Sequence, residues 1–140
     1  AISHLLTAYV KNFTGRLSAV CGCGVAASTG ATAAIAWLMS GDIKKVEGAM
    51  EHIVASLSGM ICDGAKPGCA LKIATSVNAA ALAAQLALNG TGATKRDGIV
   101  TDDLEETLRN LGKLGNEGMS EANDEILKML LDKKTTKMCG

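Results

Sequence analysis

"CGCGVAASTGATAAIAWLM", Cys21 to Met39, runs for nineteen residues without a charge. By length and apolarity alone such a run meets the requirement for crossing a bilayer. Its makeup argues against that: Ala dominates over Leu and Ile, and Ser28, Thr29, Thr32 and several glycines interrupt it. A helix that is apolar on every side is also what a helical protein places at its centre. Small side chains there let neighbouring helix backbones approach closely. The stretch therefore predicts a buried central helix over 25–39. Gly22 and Gly24 make its start irregular, and Ser40-Gly41 ends it.

The flanking sequence supplies partners for such a helix. The chain of 140 residues is 48% hydrophobic yet only 2% aromatic, so its core is built from Ala, Leu, Ile, Val and Met. Residues 2–13 repeat apolar side chains (Ile2, Leu5, Leu6, Tyr9, Val10, Phe13) at helical spacing. Asp42 is placed to cap a helix reaching about 58, with Val46, Met50, Ile53 and Val54 on its stripe. Another Ala-rich helix is expected from about Cys69 to Leu88, closed by Asn89-Gly90. Thr101 is read as the cap of a helix carrying Leu104, Leu108 and Leu111, after which Gly112, Gly115 and Gly118 break the pattern. A last helix starts at Ser120, with Ile126, Leu127, Leu130 and Leu131 on its inner face. No segment alternates as a strand does. The expectation is an all-α fold: a compact bundle of about six helices around a central Ala/Gly-rich buried helix. One domain covers 1–134, with a flexible tail over 135–140.

Fourteen basic and fourteen acidic residues cancel, and no basic stripe is interleaved with aromatics, which argues against a nucleic-acid partner. No membrane partner is expected either. The start at Ala1 carries no signal-peptide pattern and reads as a fragment, a trimmed chain or a processed one. Five cysteines, an odd number, lack the spacing of a small secreted disulfide scaffold and fit a reducing cytoplasm.

Those cysteines are the chemical question. "GMICDGAKPGCALK", Gly59 to Lys72, sets Cys62 and Cys69 around a loop with the chain's one proline, Pro67, between Lys66 and Gly68. Such a loop is able to bend both thiols toward one point, and Cys21 is brought close if its helix packs nearby. Three thiolates there would hold an iron–sulfur cluster with one iron left open as a Lewis acid. Free cysteine is also among the most buried residue types, so the alternative is inert core thiols. Structural zinc favours closely paired ligands such as CxxC, which are absent.

Three segments carry a family resemblance: "MEHIVASLSGMICDGAKPGCALK", "RLSAVCGCGVAASTGATAAIAWLMSGD" and "EETLRNLGKLGNEGMSEANDEIL". Together, over about Arg16 to Leu131, they resemble the iron–sulfur L-serine dehydratase α-chain family, in particular its L-cysteine desulfidase-like branch. The resemblance implies a [4Fe–4S]-dependent lyase that works without pyridoxal phosphate. It deaminates L-serine or L-cysteine to pyruvate and ammonia, eliminating water or sulfide. It implies cluster ligation by Cys21, Cys62 and Cys69, with Cys23 the alternative to Cys21. It also implies a long N-terminal part, supplying substrate-binding residues and a base, that these 140 residues lack. The chain would then be the C-terminal, cluster-ligand part, inactive alone. Its partners would be an amino-acid substrate, the remainder of the same protein, and a second copy wherever an apolar face is left uncovered.

Other residues are weighed beside these. Lys66 is a candidate for a substrate carboxylate or the cluster, or else a solvated loop lysine; Asp63 reads as a turn cap. Lys72, one helical turn past Cys69, is a weaker candidate on the same side. His52 is a candidate catalytic group or a packed helical histidine, and Glu51 and Asn78 have similar standing. Thr75 and Ser76 read as packing residues. Cys139 is a displaceable iron ligand or a plain tail thiol. The rival function is a non-catalytic helical module with structural or redox-sensing cysteines.

Overall fold

The computed structural model describes residues 1–137 apart from Thr94 and Arg96, and describes the backbone alone over 134–137. The uncharged stretch does become the central helix, α2 (Ala27–Ser40), packed against α1 (Ile2–Thr14), α3 (Ile43–Leu57) and α4 (Cys69–Leu88). A π-helical turn, Gly22–Ala26, leads into it, so the wider winding extends the coil back past Val25. Ser28, Thr29 and Thr32 are buried inside the bundle. Each hydroxyl donates to a carbonyl one turn back, so none of these three is left unpaired. The helix stops at Gly41, whose φ of 63° is the left-handed cap that glycine adopts without strain.

Close approach is bought with glycine. A Cβ at Gly30 would overlap Thr7 Oγ1 and the Ser3 carbonyl, so α1 lies almost against the α2 backbone. Gly112 plays the same part where α5 (Leu104–Lys113) meets the Phe13 carbonyl of α1. Gly112 and Gly115 were read as pattern breakers. The helix instead runs through Gly112 and continues in a second π-helical turn, Leu114–Gly118, because these positions are contact points.

α3 begins at Asp42, whose carboxylate accepts the Lys44 N–H. It buries Val46, Met50, Ile53 and Val54 against α2 and α4. The cap of α5 is Asp103, accepting the Glu105 N–H, rather than Thr101. The Thr101 N–H is taken by the Thr107 hydroxyl, which moves the helix start two residues on. α6 (Ser120–Lys137) packs on the second π-helical turn and runs three residues into the stretch expected to be a tail. The remaining tail residues, Cys139 among them, lie outside the described residues. Among the described residues there is no strand and one isolated antiparallel bridge, Val20 to Ile61.

By length and composition, Gly22–Ser40 and Cys69–Leu88 are both long and apolar enough to cross a membrane. The first is the half-buried centre of the bundle. The second is mostly uncovered, with Leu71 at 74%, Val77 at 61% and Leu82 at 57% exposure and no charge from Ile73 to Asn89.

Two glycines in helix interiors should answer oppositely to alanine. At Gly30 the added methyl meets backbone, and overpacking costs about 1–3 kcal/mol. At Gly48 of α3 it would rest 3.8 Å from the Ala87 Cβ, an ordinary contact, and should stabilise by roughly 0.5–1 kcal/mol. Urea denaturation of Gly30→Ala and Gly48→Ala checks the two signs; equal shifts would contradict the packing.

Candidate functional site

The isolated bridge organises the cysteines. The Cys21 N–H donates to the Met60 carbonyl at 2.8 Å, and the Cys62 N–H to the Ala19 carbonyl at 2.7 Å. In an antiparallel bridge, the residues following each bridged position lie on one face as diagonal neighbours, with backbones roughly 7–8 Å apart. Cys21 and Cys62 hold those two positions. Cys21 is buried, and its sulfur accepts the Gly24 N–H at 3.2 Å, pinning the π-helical turn. The turn is fastened from the other side by Ser76, whose hydroxyl donates to the Gly24 carbonyl at 2.7 Å. Ser76 is thus more than packing: it ties α4 to the cysteine segment. Gly24 leaves room for the Met60 side chain, which would have to shift to admit a Cβ there.

The loop from Cys62 to Cys69 turns back at Gly64, whose φ of 90° suits glycine. The Cys69 thiol, at the start of α4, faces the Gly64 carbonyl at 3.6 Å. Asp63 is the loop's anchor, paired with both Lys66 and Lys72. Hydrogen bonds from Lys66 and then Lys72 hold its carboxyl well below the usual carboxylate range. Lys72 also donates to the Ile61 carbonyl at 2.7 Å. Its own pKa is raised, first by the Asp63 hydrogen bond and further by the nearby sulfurs of Cys21 and Cys62. The residue ranked below Lys66 on sequence is therefore the one at the junction, while Lys66 is exposed and already paired.

Cys62 and Cys23 both line an open cavity of about 740 Å³ between α1, the 16–23 segment and α6. That volume lies within the roughly 300–1,000 Å³ of small-molecule sites. Cys21 is buried in the core, whereas Cys23 lines the cavity with Cys62.

His52 stands elsewhere. Its Nδ1 accepts the Ala93 N–H at 2.7 Å, which places the ring proton on Nε2, 3.0 Å from the Thr91 carbonyl. Both nitrogens clasp the 91–93 loop, and Gly92 is pressed against the ring so that no Cβ fits. The cavity beside His52, about 450 Å³, shares no residue with the cysteine cavity. Glu51 is half-buried on α3, and burial followed by Glu47 pushes its carboxyl up. Asn78 is exposed on α4, and the Thr75 hydroxyl donates to the Leu71 carbonyl.

Among the described residues no three His, Cys, Asp or Glu side chains gather as a single-ion site. Diagonal placement explains this, because one zinc needs every sulfur about 2.3 Å away. A cluster that offers a separate iron to each thiolate suits a wider spread. Cys62, Cys69 and Cys21 or Cys23 offer the donor type that such a group takes, cysteine sulfur, and Lys72 lies near the sulfurs of Cys21 and Cys62.

The chain belongs to the serine dehydratase alpha chain family, whose profile matches residues 1–128. Among curated proteins, it is 54% identical over 132 residues to a UPF0597 protein of Clostridioides difficile, covering 94% of this chain and 31% of that protein. It is 55% identical over 130 residues to a UPF0597 protein of Alkaliphilus oremlandii, covering 93% and 30%. A UPF0597 protein of Desulfotalea psychrophila is 50% identical over 129 residues, covering 92% and 30%. The chain thus spans about 30% of the length of these relatives. No solved structure matches it.

The Asp63 clamp has a defined pH window. A lowered carboxyl contributes its stability above the unfolded value near ~3.9 and loses it as pH falls through the lower folded value. The raised Lys72 contributes below about 10.4 and loses it as pH climbs through its folded value. Amide protection factors at Cys62 and Cys69 should stay level from about pH 5 to about pH 9. Asp63→Asn should lower them throughout that range; protection unchanged by the substitution would refute the clamp.

Proposed function

We propose that this chain is the cluster-ligand part of a cytoplasmic, pyridoxal-phosphate-independent lyase. The enzyme would deaminate L-serine or L-cysteine to pyruvate and ammonia, releasing water or sulfide. The observation that carries the reading is the Val20–Ile61 bridge, which sets Cys21 and Cys62 on one face beside Lys72 and the Cys69 loop. Cys62, Cys69 and Cys21, or Cys23 in its place, would hold a [4Fe–4S] cluster. When bound, the cluster supplies a Lewis-acidic iron toward the substrate's leaving hydroxyl or thiol. Lys72 and Asp63 keep the ligand loop closed, and the 740 Å³ cavity against Cys62 admits a small molecule.

The base that takes the α-proton is assigned to the remaining part of the longer polypeptide, because His52 has both ring nitrogens committed to the 91–93 loop. The same remaining part is the natural cover for α4, which carries no charge from Ile73 onward and exposes Leu71, Val77 and Leu82. An uncovered α4 would instead pair with a second copy of the chain. The rival reading, a helical module with structural or redox-sensing cysteines, has one observation in its favour: Cys21 is buried and serves as a cap.

The test is a chimera in which this chain replaces the matched region of the Clostridioides difficile relative, reconstituted anaerobically with iron and sulfide. The expected result is broad visible absorption and pyruvate release from L-serine or L-cysteine, both lost in Cys62→Ala. A colourless protein without turnover would leave the helical-module reading.

A further inference from the structure

The cavity beside Cys62 holds more than thiols. Lys11 and Arg16 line it from α1 and the segment after it, and Asp124 lines it from α6. Among the described residues none of the three has an ion-pair partner, whereas Glu125 and Lys128 of α6 pair with each other. Lys11 is held in place: its ammonium donates to the Arg16 carbonyl at 3.3 Å and lies 3.4 Å from where a Gly22 side chain would start. Two cations, one carboxylate and the wall carrying Cys62 and Cys23 therefore line one open cavity.

We propose that this is a site for a free α-amino acid, with the carboxylate on Lys11 and Arg16, the ammonium at Asp124 and the side chain toward Cys62. The assignment deepens the lyase reading and rests on it. A zwitterion loses strong hydration at both ends on entering a cleft, so it needs a partner of each sign. The cavity supplies both signs. A planar guanidinium is suited to gripping a carboxylate through two parallel hydrogen bonds. With both ends fixed, the third substituent of the α-carbon is directed to the remaining wall, where the proposed cluster ligand stands. Lys11, Arg16 and Asp124 are thus assigned as substrate-positioning residues, with no part in the chemistry itself.

The experiment uses the same chimera and reads equilibrium binding by calorimetry in the iron-free protein, beside KM and kcat in the reconstituted one. The probes are L-serine, L-serine amide, which lacks the carboxylate, and hydroxypropionate, which lacks the ammonium. Lys11→Met and Arg16→Met should each weaken L-serine binding about tenfold to a hundredfold and raise KM with little change in kcat. They should leave the amide's weaker binding unaltered. Asp124→Asn should weaken L-serine but not hydroxypropionate. Arg16→Lys should recover part of the loss, and Lys128→Met, outside the cavity, should change nothing; circular dichroism of each variant verifies the fold. Binding and KM at the unsubstituted values in all three variants would overturn the site, even with turnover intact. Weakened binding in a protein that yields no pyruvate would uphold the site and sink the lyase reading instead.

Discussion

Two backbone hydrogen bonds, Cys21 to Met60 and Cys62 to Ala19, fix the relation between the two cysteine-bearing segments. Without them the 15–21 segment and the loop after α3 would be independent surface strands, and their cysteines would have no fixed relation. With them, the start of the central helix and the start of α4 share one junction. Ser76 and Lys72 then reach back from α4 to the Gly24 and Ile61 carbonyls and lock the junction from a third element. Helices built from small residues make this feasible, because only a bundle with backbones nearly in contact brings three chain segments so close. The glycines at 30 and 112 are where backbones come that close.

The charged residues near the junction fall into two groups. Asp63 and Lys72 are spent on shaping the loop, not on a ligand. Lys11, Arg16 and Asp124 line the cavity, with no ion-pair partner among the described residues. The proposed division of labour follows from these partners: the first group fixes thiols, and the second meets solvent and whatever enters from it.

Much of the fold was legible in the sequence because helix period and punctuation agree. Pro67-Gly68 and Asn89-Gly90 bracket α4, and Asp42 caps α3, so their bounds follow from local chemistry. The start of α5 was misplaced because Thr101 and Asp103 are both good caps, and only the Thr107 hydroxyl decides between them. The site was half legible. The cysteines stand out by type, yet a single bridged pair has no alternation to betray it. Lys72 finds its partners nine and eleven residues back, and His52 finds its own 39 and 41 residues ahead, so neither role has a local signal. The triad of Lys11, Arg16 and Asp124 joins the two ends of the chain, a proximity that only the folded bundle creates.

The most direct test of this account is a short bifunctional thiol reagent applied to the reduced, iron-free chain, followed by peptide mapping. The bridge, together with the cavity that Cys62 and Cys23 both line, predicts a cross-link joining Cys62 to the exposed Cys23, or to Cys21 where the reagent reaches that buried thiol. A map showing Cys62 modified only singly, with no link to either residue, would mean that the two segments do not meet as described, and the shared cysteine site would fall with them.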